Sequence, residues 1–143
     1  MSTGVDPGGF LVDTNVISES RKGQRANPGV RAWFNAVARS DLWLSVIVIG
    51  EIRKGVELAR PHDPTQAIAL EHWLTGLRVR FADAILPVTP EIADRWGKLS
   101  AIRTRSAVDG LLAATALVHG LTFVTRNLAH VAHAGVNVVN PFK

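Results

Sequence analysis

The sequence of 143 residues has no cysteine. That excludes a disulfide scaffold, a thiolate zinc module and thiol catalysis, and it fits a reducing compartment. Tyrosine is also absent and aromatic residues make up only 6%. The four tryptophans, Trp33, Trp43, Trp73 and Trp96, stand at apolar-periodic positions that suit core or interface anchors better than base-stacking platforms. No hydrophobic run is long enough to cross a bilayer: 42–50 is short, and 110–124 is broken by His119. The first nine residues lack a basic start and an apolar signal core, so 1–9 reads as a flexible leader, and a cytoplasmic location is the expectation. Acids are outnumbered, 12 against 16 Lys+Arg, and the resulting +4 favours polyanionic partners. What remains is 47% hydrophobic and 20% charged, which is enough to bury one core and argues against disorder. With no repeat and no linker, residues 10–143 read as a single domain.

Punctuation by glycine, proline and capping residues sets strands and helices in alternation. The apolar run Gly9-Phe10-Leu11-Val12 stops at Asp13, whose side chain can cap the helix that follows, making a βα corner. Asn27-Pro28 is an N-cap with proline at the first helical position, and Val30, Trp33, Phe34 and Val37 predict a helix to about Arg39. A brief strand over 42–44 precedes Ser45, a cap for a helix over 46–59 that Pro61 and Pro64 stop, despite Gly50 and Gly55 within it. Further helices are predicted over about 65–80, from Thr89-Pro90 through Ile102, and over 108–118 with Gly120 as the stop. Strands are predicted over 84–88, where Pro87 marks an edge, and over 121–125 and 136–139. The pattern is α/β: a parallel-rich central sheet of four to five short strands with helices on both faces. In such sheets ligands sit outside the carboxyl ends of the strands.

Three acids fall where an acid is awkward unless used: Asp13 closing the first strand, Glu51 early in the third helix, and Asp109 opening the last one. Because Val46-Ile47-Val48-Ile49 covers every azimuth, the first turn of the third helix is expected to be buried all round, with Glu51 stacked over Ile47 and Val48. Taken singly, Asp13 and Asp109 read as helix N-caps, and Glu51 as a surface charge paired with Arg53 or Lys54. Taken together they repel, by roughly 4 kcal/mol for two carboxylates about 4 Å apart at an effective dielectric of ~20. A bound cation removes that repulsion, and oxygen donors suit Mg²⁺ or Mn²⁺. Phosphoryl hydrolysis is the chemistry implied, since it requires no histidine base or serine nucleophile. Two acid-free basic runs, Arg21, Lys22, Arg25, Arg31 and Arg39, then Arg95, Lys98, Arg103 and Arg105, are either solvated helix faces or a grip for a nucleic-acid backbone.

Together these motifs resemble the PIN-domain ribonucleases, specifically the VapC toxins of type II toxin–antitoxin pairs. The likeness spans Phe10 to Phe142. It rests on Leu11-Val12-Asp13-Thr14-Asn15 with Ser18-Glu19, on Ser45 to Glu51 continuing to Gly55, on Val108-Asp109 through Ala116, on Leu121 through Asn127, and on the ending Val138 to Phe142. The resemblance implies a PIN domain over 10–143 in which Asp13, Glu51 and Asp109 are catalytic and bind the metal, Mg²⁺ with Mn²⁺ as a substitute. It implies an RNA substrate, a homodimer, and a VapB-like antitoxin that alone contacts DNA. Asn15, Thr125, Arg126, Asn127 and His130 would form the rim. His130 departs from the family, which often carries a fourth acid there, three residues after the asparagine of Thr125-Arg126-Asn127.

Two rival readings exist. A haloacid-dehalogenase-type metal-dependent phosphatase would want a second aspartate where Asn15 stands, and that pattern is not met. A PIN-fold binding module that has lost turnover is kept open by His130.

Overall fold

A computed structural model of the chain describes residues 9–132 and 134–143. Residues 1–8 of the expected leader lie outside the described residues, as does His133. Gly9 belongs to the domain rather than to a leader: it is buried, and its carbonyl accepts a hydrogen bond from the Thr122 amide.

Among the described residues eleven strands and α-helices, three short 3-10 turns aside, follow one another as β1 (Phe10–Val12), α1 (Thr14–Ser20), α2 (Pro28–Ala36), β2 (Leu42–Ser45), α3 (Val46–Ala59), α4 (Pro64–Arg80), β3 (Ile85–Leu86), α5 (Pro90–Ile102), α6 (Ala107–His119), β4 (Thr122–Val124) and β5 (Val138–Val139). All strand pairings are parallel, in the order β3-β2-β1-β4-β5. Leu11 and Val12 point to opposite faces of the sheet, yet both are fully buried, so both faces are covered. The expected α/β architecture is therefore the observed one.

Chain order runs outward from β1 through β2 to β3, then returns to the other side of β1 for β4 and β5. The connections reverse between β1 and β4, and their carboxyl ends form the crevice where ligands of open parallel sheets bind. Register aligns Val12 with Val124, so Asp13 and Thr125 emerge side by side at that crevice.

Caps fix the helices that carry the acids. Asp13 caps α1 through the Thr14 amide, Ser45 caps α3 through the Ile47 amide, and Ser106 caps α6 through the Asp109 amide. Gly120 closes α6 in the left-handed conformation, with φ of 67°. At the other end of α6, Gly110 lies against the Trp96 ring of α5, so closely that a Cβ there would meet the ring at 2.7 Å.

Three expectations are corrected. Asp109 is not a cap but sits in the first turn of α6, behind the cap Ser106. The first turn of α3 is not buried all round, because Val46 is 40% exposed while Val48 is fully buried. The helix lies against the rest of the molecule on one side only, and four consecutive apolar residues cannot all face that side. Finally, α2 stops at Ala36 rather than near Arg39, since Val37 turns to extended backbone on the way to β2.

Candidate active site

Asp13 is only 6% exposed, and the described hydrogen-bond partners of its carboxylate are all donors. Oδ1 accepts from the Thr14 amide at 2.7 Å, and Oδ2 accepts from the Thr125 hydroxyl at 2.7 Å and from Asn15 Nδ2 at 3.3 Å. Burial nevertheless pushes its pKa up. The hydrogen bonds from Thr125 and Thr14 act against that rise, whereas the charges of Glu51 and Asp109 add to it. Asp13 is thus the acid on which the charges of both other acids predicted from sequence act.

Glu51 reaches the crevice from the second turn of α3, the helix that leaves β2. It is half-buried, and its Oε1 accepts a hydrogen bond from the Thr14 hydroxyl at 2.6 Å. Neither Arg53 nor Lys54 is its partner: Arg53 pairs with Glu57 and Glu71 instead, at 3.1 and 2.9 Å. Asp109 approaches from the start of α6. Its Oδ2 accepts from the Ser106 hydroxyl at 2.7 Å and lies 3.3 Å from His130 Nδ1.

The rim residues close around this group. The Thr125 hydroxyl, which donates to Asp13, accepts from the Asn127 amide at 3.0 Å, and Asn15 Oδ1 accepts from the Arg126 amide at 3.3 Å. Thr125 is buried, at 1% exposure, so its link to Asp13 is an internal hydrogen bond. The Arg126 guanidinium is turned over the Phe142 ring, 4.6 Å from its centre. Of the expected rim, Asn15 and Thr125 touch Asp13, His130 touches Asp109, and Arg126 and Asn127 act through backbone amides.

Sequence reasoning gave no role to Thr14 or Ser106. Both hold a carboxylate of the group, and both had a signal. Thr14 directly follows Asp13, and Ser106 stands three residues before Asp109, the spacing of a helix-start pair.

Donor chemistry and charge suit a hard divalent cation: three carboxylates, no thiolate, and a buried Asp13 opposed by two more negative charges. The fit stops short of a finished cage. Among the described residues no three His, Asp or Glu side chains already enclose space for an ion, and Thr14 and Ser106 occupy one oxygen each of Glu51 and Asp109.

Comparison with known proteins agrees with the topology. A family model described as PIN domain matches residues 10–135. The chain is 35% identical over 138 residues to toxin FitB of Neisseria gonorrhoeae, spanning 93% of this chain and 98% of that one. It is 30% identical over 139 residues to VapC ribonuclease Y4jK of Sinorhizobium fredii, spanning 94% and 98%. Among solved structures, FitAcB from Neisseria gonorrhoeae superposes with a TM-score of 0.82 at 33% identity, over 92% of this chain and 97% of that one. A parallel five-stranded sheet with acids at its switch point, and likeness over nearly the whole length, make this chain a member of the PIN-domain family.

Proposed function

We propose that the protein is the toxin of a toxin–antitoxin pair and acts as a Mg²⁺- or Mn²⁺-dependent endoribonuclease, with Asp13, Glu51 and Asp109 as the carboxylates that hold the metal. The observation that carries this reading is Asp13 itself, a buried acid that feels two neighbouring acids and is paired with no cation among the described residues. Such a group is costly in an empty site and useful in a loaded one. The relatives named as a toxin and as a VapC ribonuclease support the same activity.

Each residue has a task that follows from its contacts. Thr125 and the Thr14 amide hold Asp13 in one orientation by donating to its two oxygens. The Thr14 hydroxyl steers Glu51 toward the crevice, and Ser106 does the same for Asp109. When bound, a divalent ion supplies positive charge against the phosphate oxygens and acidifies water, the chemistry by which phosphodiesters are hydrolysed without a protein nucleophile. The partners proposed with this reading are an RNA substrate, a VapB-like antitoxin and a second copy of the chain, in the cytoplasm. No described helix is long and apolar enough to cross a membrane.

One observation favours a second reading, a PIN-fold binding module: His130 stands beside Asp109, where the family often has an acid. Cleavage of labelled single-stranded RNA in EDTA, Mg²⁺ and Mn²⁺ separates the two. Cleavage is expected with either metal and not in EDTA, and Asp13→Asn is expected to lower it on the order of a hundredfold or more. Cleavage that persists in EDTA, or that Asp13→Asn leaves intact, overturns the mechanism. RNA binding with no cleavage in any arm selects the binding module.

A further inference from the structure

A cleft of about 410 Å³ opens beside the carboxylates, lined by α1, α3 and α4. Thr14, Asn15 and Glu51 line it and also belong to the site, so the two spaces are continuous. Leu70 and Trp73 of α4 give it an apolar wall, with Trp73 half-buried against the core. Gln66 lines it too, and its side-chain amide makes no hydrogen bond to another described residue. Arg21 stands at the edge with no ion-pair partner among the described residues.

Gly55 is the informative residue of this cleft. It sits in the interior of α3, where glycine is less favourable than alanine. Its backbone is not in the left-handed region, and a Cβ built on it meets nothing within 4 Å. Neither conformation nor packing therefore asks for glycine, and what the missing side chain does is leave the cleft open.

We propose that this cleft receives one unpaired base of the RNA substrate, from the nucleotide next to the scissile phosphate, and so determines which sequences are cut. This rests on the ribonuclease reading above. A volume of about 410 Å³ falls within the range of small-molecule sites, about 300–1,000 Å³. An apolar wall with an indole suits the π-face of any base, and the Gln66 amide offers a donor and an acceptor to a base edge. Continuity with Glu51 puts the base next to the phosphate that the carboxylate site would engage.

The test uses the full chain with Gly55→Leu, Gly55→Ala and Gly50→Leu. Gly50 lies on the same helix, is exposed, and also has nothing within 4 Å of its Cβ position, but it does not line the cleft. Product ends from a random-sequence single-stranded RNA are sequenced after cleavage in Mg²⁺, and the affinity for a short labelled RNA of random sequence is measured in EDTA. The wild type and Gly50→Leu are expected to share a base preference at one position beside the cut. Gly55→Leu is expected to flatten that preference and to weaken RNA binding roughly tenfold, with Gly55→Ala in between. Should Gly55→Leu fail to fold, Gly55→Ala carries the same two readouts. Unchanged preference and affinity in a folded Gly55→Leu overturn the proposal. If such a variant also escapes inhibition by a co-expressed antitoxin, the cleft belongs to a protein segment instead. Absence of Asp13-dependent cleavage in the wild type overturns the ribonuclease reading, while the binding arm in EDTA still reports on the cleft.

Discussion

Asp13 is folded into a place that disfavours its own charge, and this single residue links stability to function. Its pKa is raised, chiefly by burial and further by Glu51 and Asp109. A proton therefore binds the folded chain more readily than the unfolded one. The stability that this proton brings is fully present below the ordinary carboxylate range and is lost as pH rises through the raised, folded value. In EDTA, the Asp13→Asn protein is expected to lack this loss, so urea unfolding from pH 4.5 to 8 should show the variant gaining on the wild type as pH rises. Adding Mn²⁺ should reverse the order, because an ion that binds only the folded wild type stabilises it by mass action. Parallel pH curves for the two proteins in EDTA would show that Asp13 carries no such burden. His130 shows a different side of the same crowding. From sequence it is a nitrogen where an acid is usual, and in the structure it rests on Asp109 at 3.3 Å, on a carboxylate already engaged by Ser106.

At the scale of elements, what was legible in the sequence was whatever local chemistry decides. Ser45 and Pro61 bracket α3 at Val46–Ala59 as the cap and the breaker require, and Thr89-Pro90 opens α5 at Pro90. That Asp13 and Glu51 fall near one another was legible because strand ends and helix starts in an alternating pattern point to one sheet edge. Contacts between elements were not legible. Arg39 belongs to a basic run that reads as either a solvated helix face or a nucleic-acid grip, but its guanidinium donates to the Arg80 and Leu42 carbonyls and covers the Phe81 ring. Arg105 likewise bonds the Leu99 and Ala132 carbonyls at 3.1 and 3.2 Å. Nothing in periodicity reveals that Gly110 is where α6 meets Trp96 of α5, since only the packed pair shows it. Gly110→Ala sets a gain in helix propensity of about 1 kcal/mol against an overpacking cost of about 1–3 kcal/mol. The rigid indole stands only 2.7 Å from the new Cβ, so the cost should win. Gly50→Ala, with open space around it, meets no such cost and should stabilise. Thermal melts should therefore move in opposite directions, down for Gly110→Ala and up for Gly50→Ala. A rise for both would show that α5 gives way freely at Trp96.

At the scale of the whole molecule, the formal +4 matters only through the cations that folding leaves available. The fold consumes several of them. Lys22 pairs with Glu19 at 2.9 Å, Lys98 with Asp94 at 3.5 Å, and Arg53 and Arg60 share Glu57 and Glu71 in an exposed network joining α3 to α4. Arg39 and Arg105 are spent on backbone carbonyls, and Arg126 faces Phe142. Arg21 remains exposed at the mouth of the cleft, with no ion-pair partner among the described residues. A contact between Arg21 and an RNA phosphate releases counterions, so binding should weaken linearly in log affinity against log salt, and each lost contact should reduce the slope by about 0.7 for a single strand. Arg21→Ala is therefore expected to lower the slope by about 0.7, as measured by anisotropy of a labelled single-stranded RNA in EDTA from 50 to 300 mM KCl. Arg39→Ala, which removes a cation already committed to Arg80 and Phe81, should lower stability and leave the slope alone. Equal slopes for Arg21→Ala and the wild type would move the RNA path away from this end of α1. A slope lost in Arg39→Ala would place the path between the end of α2 and the start of β2, beside the end of α4, where that guanidinium lies.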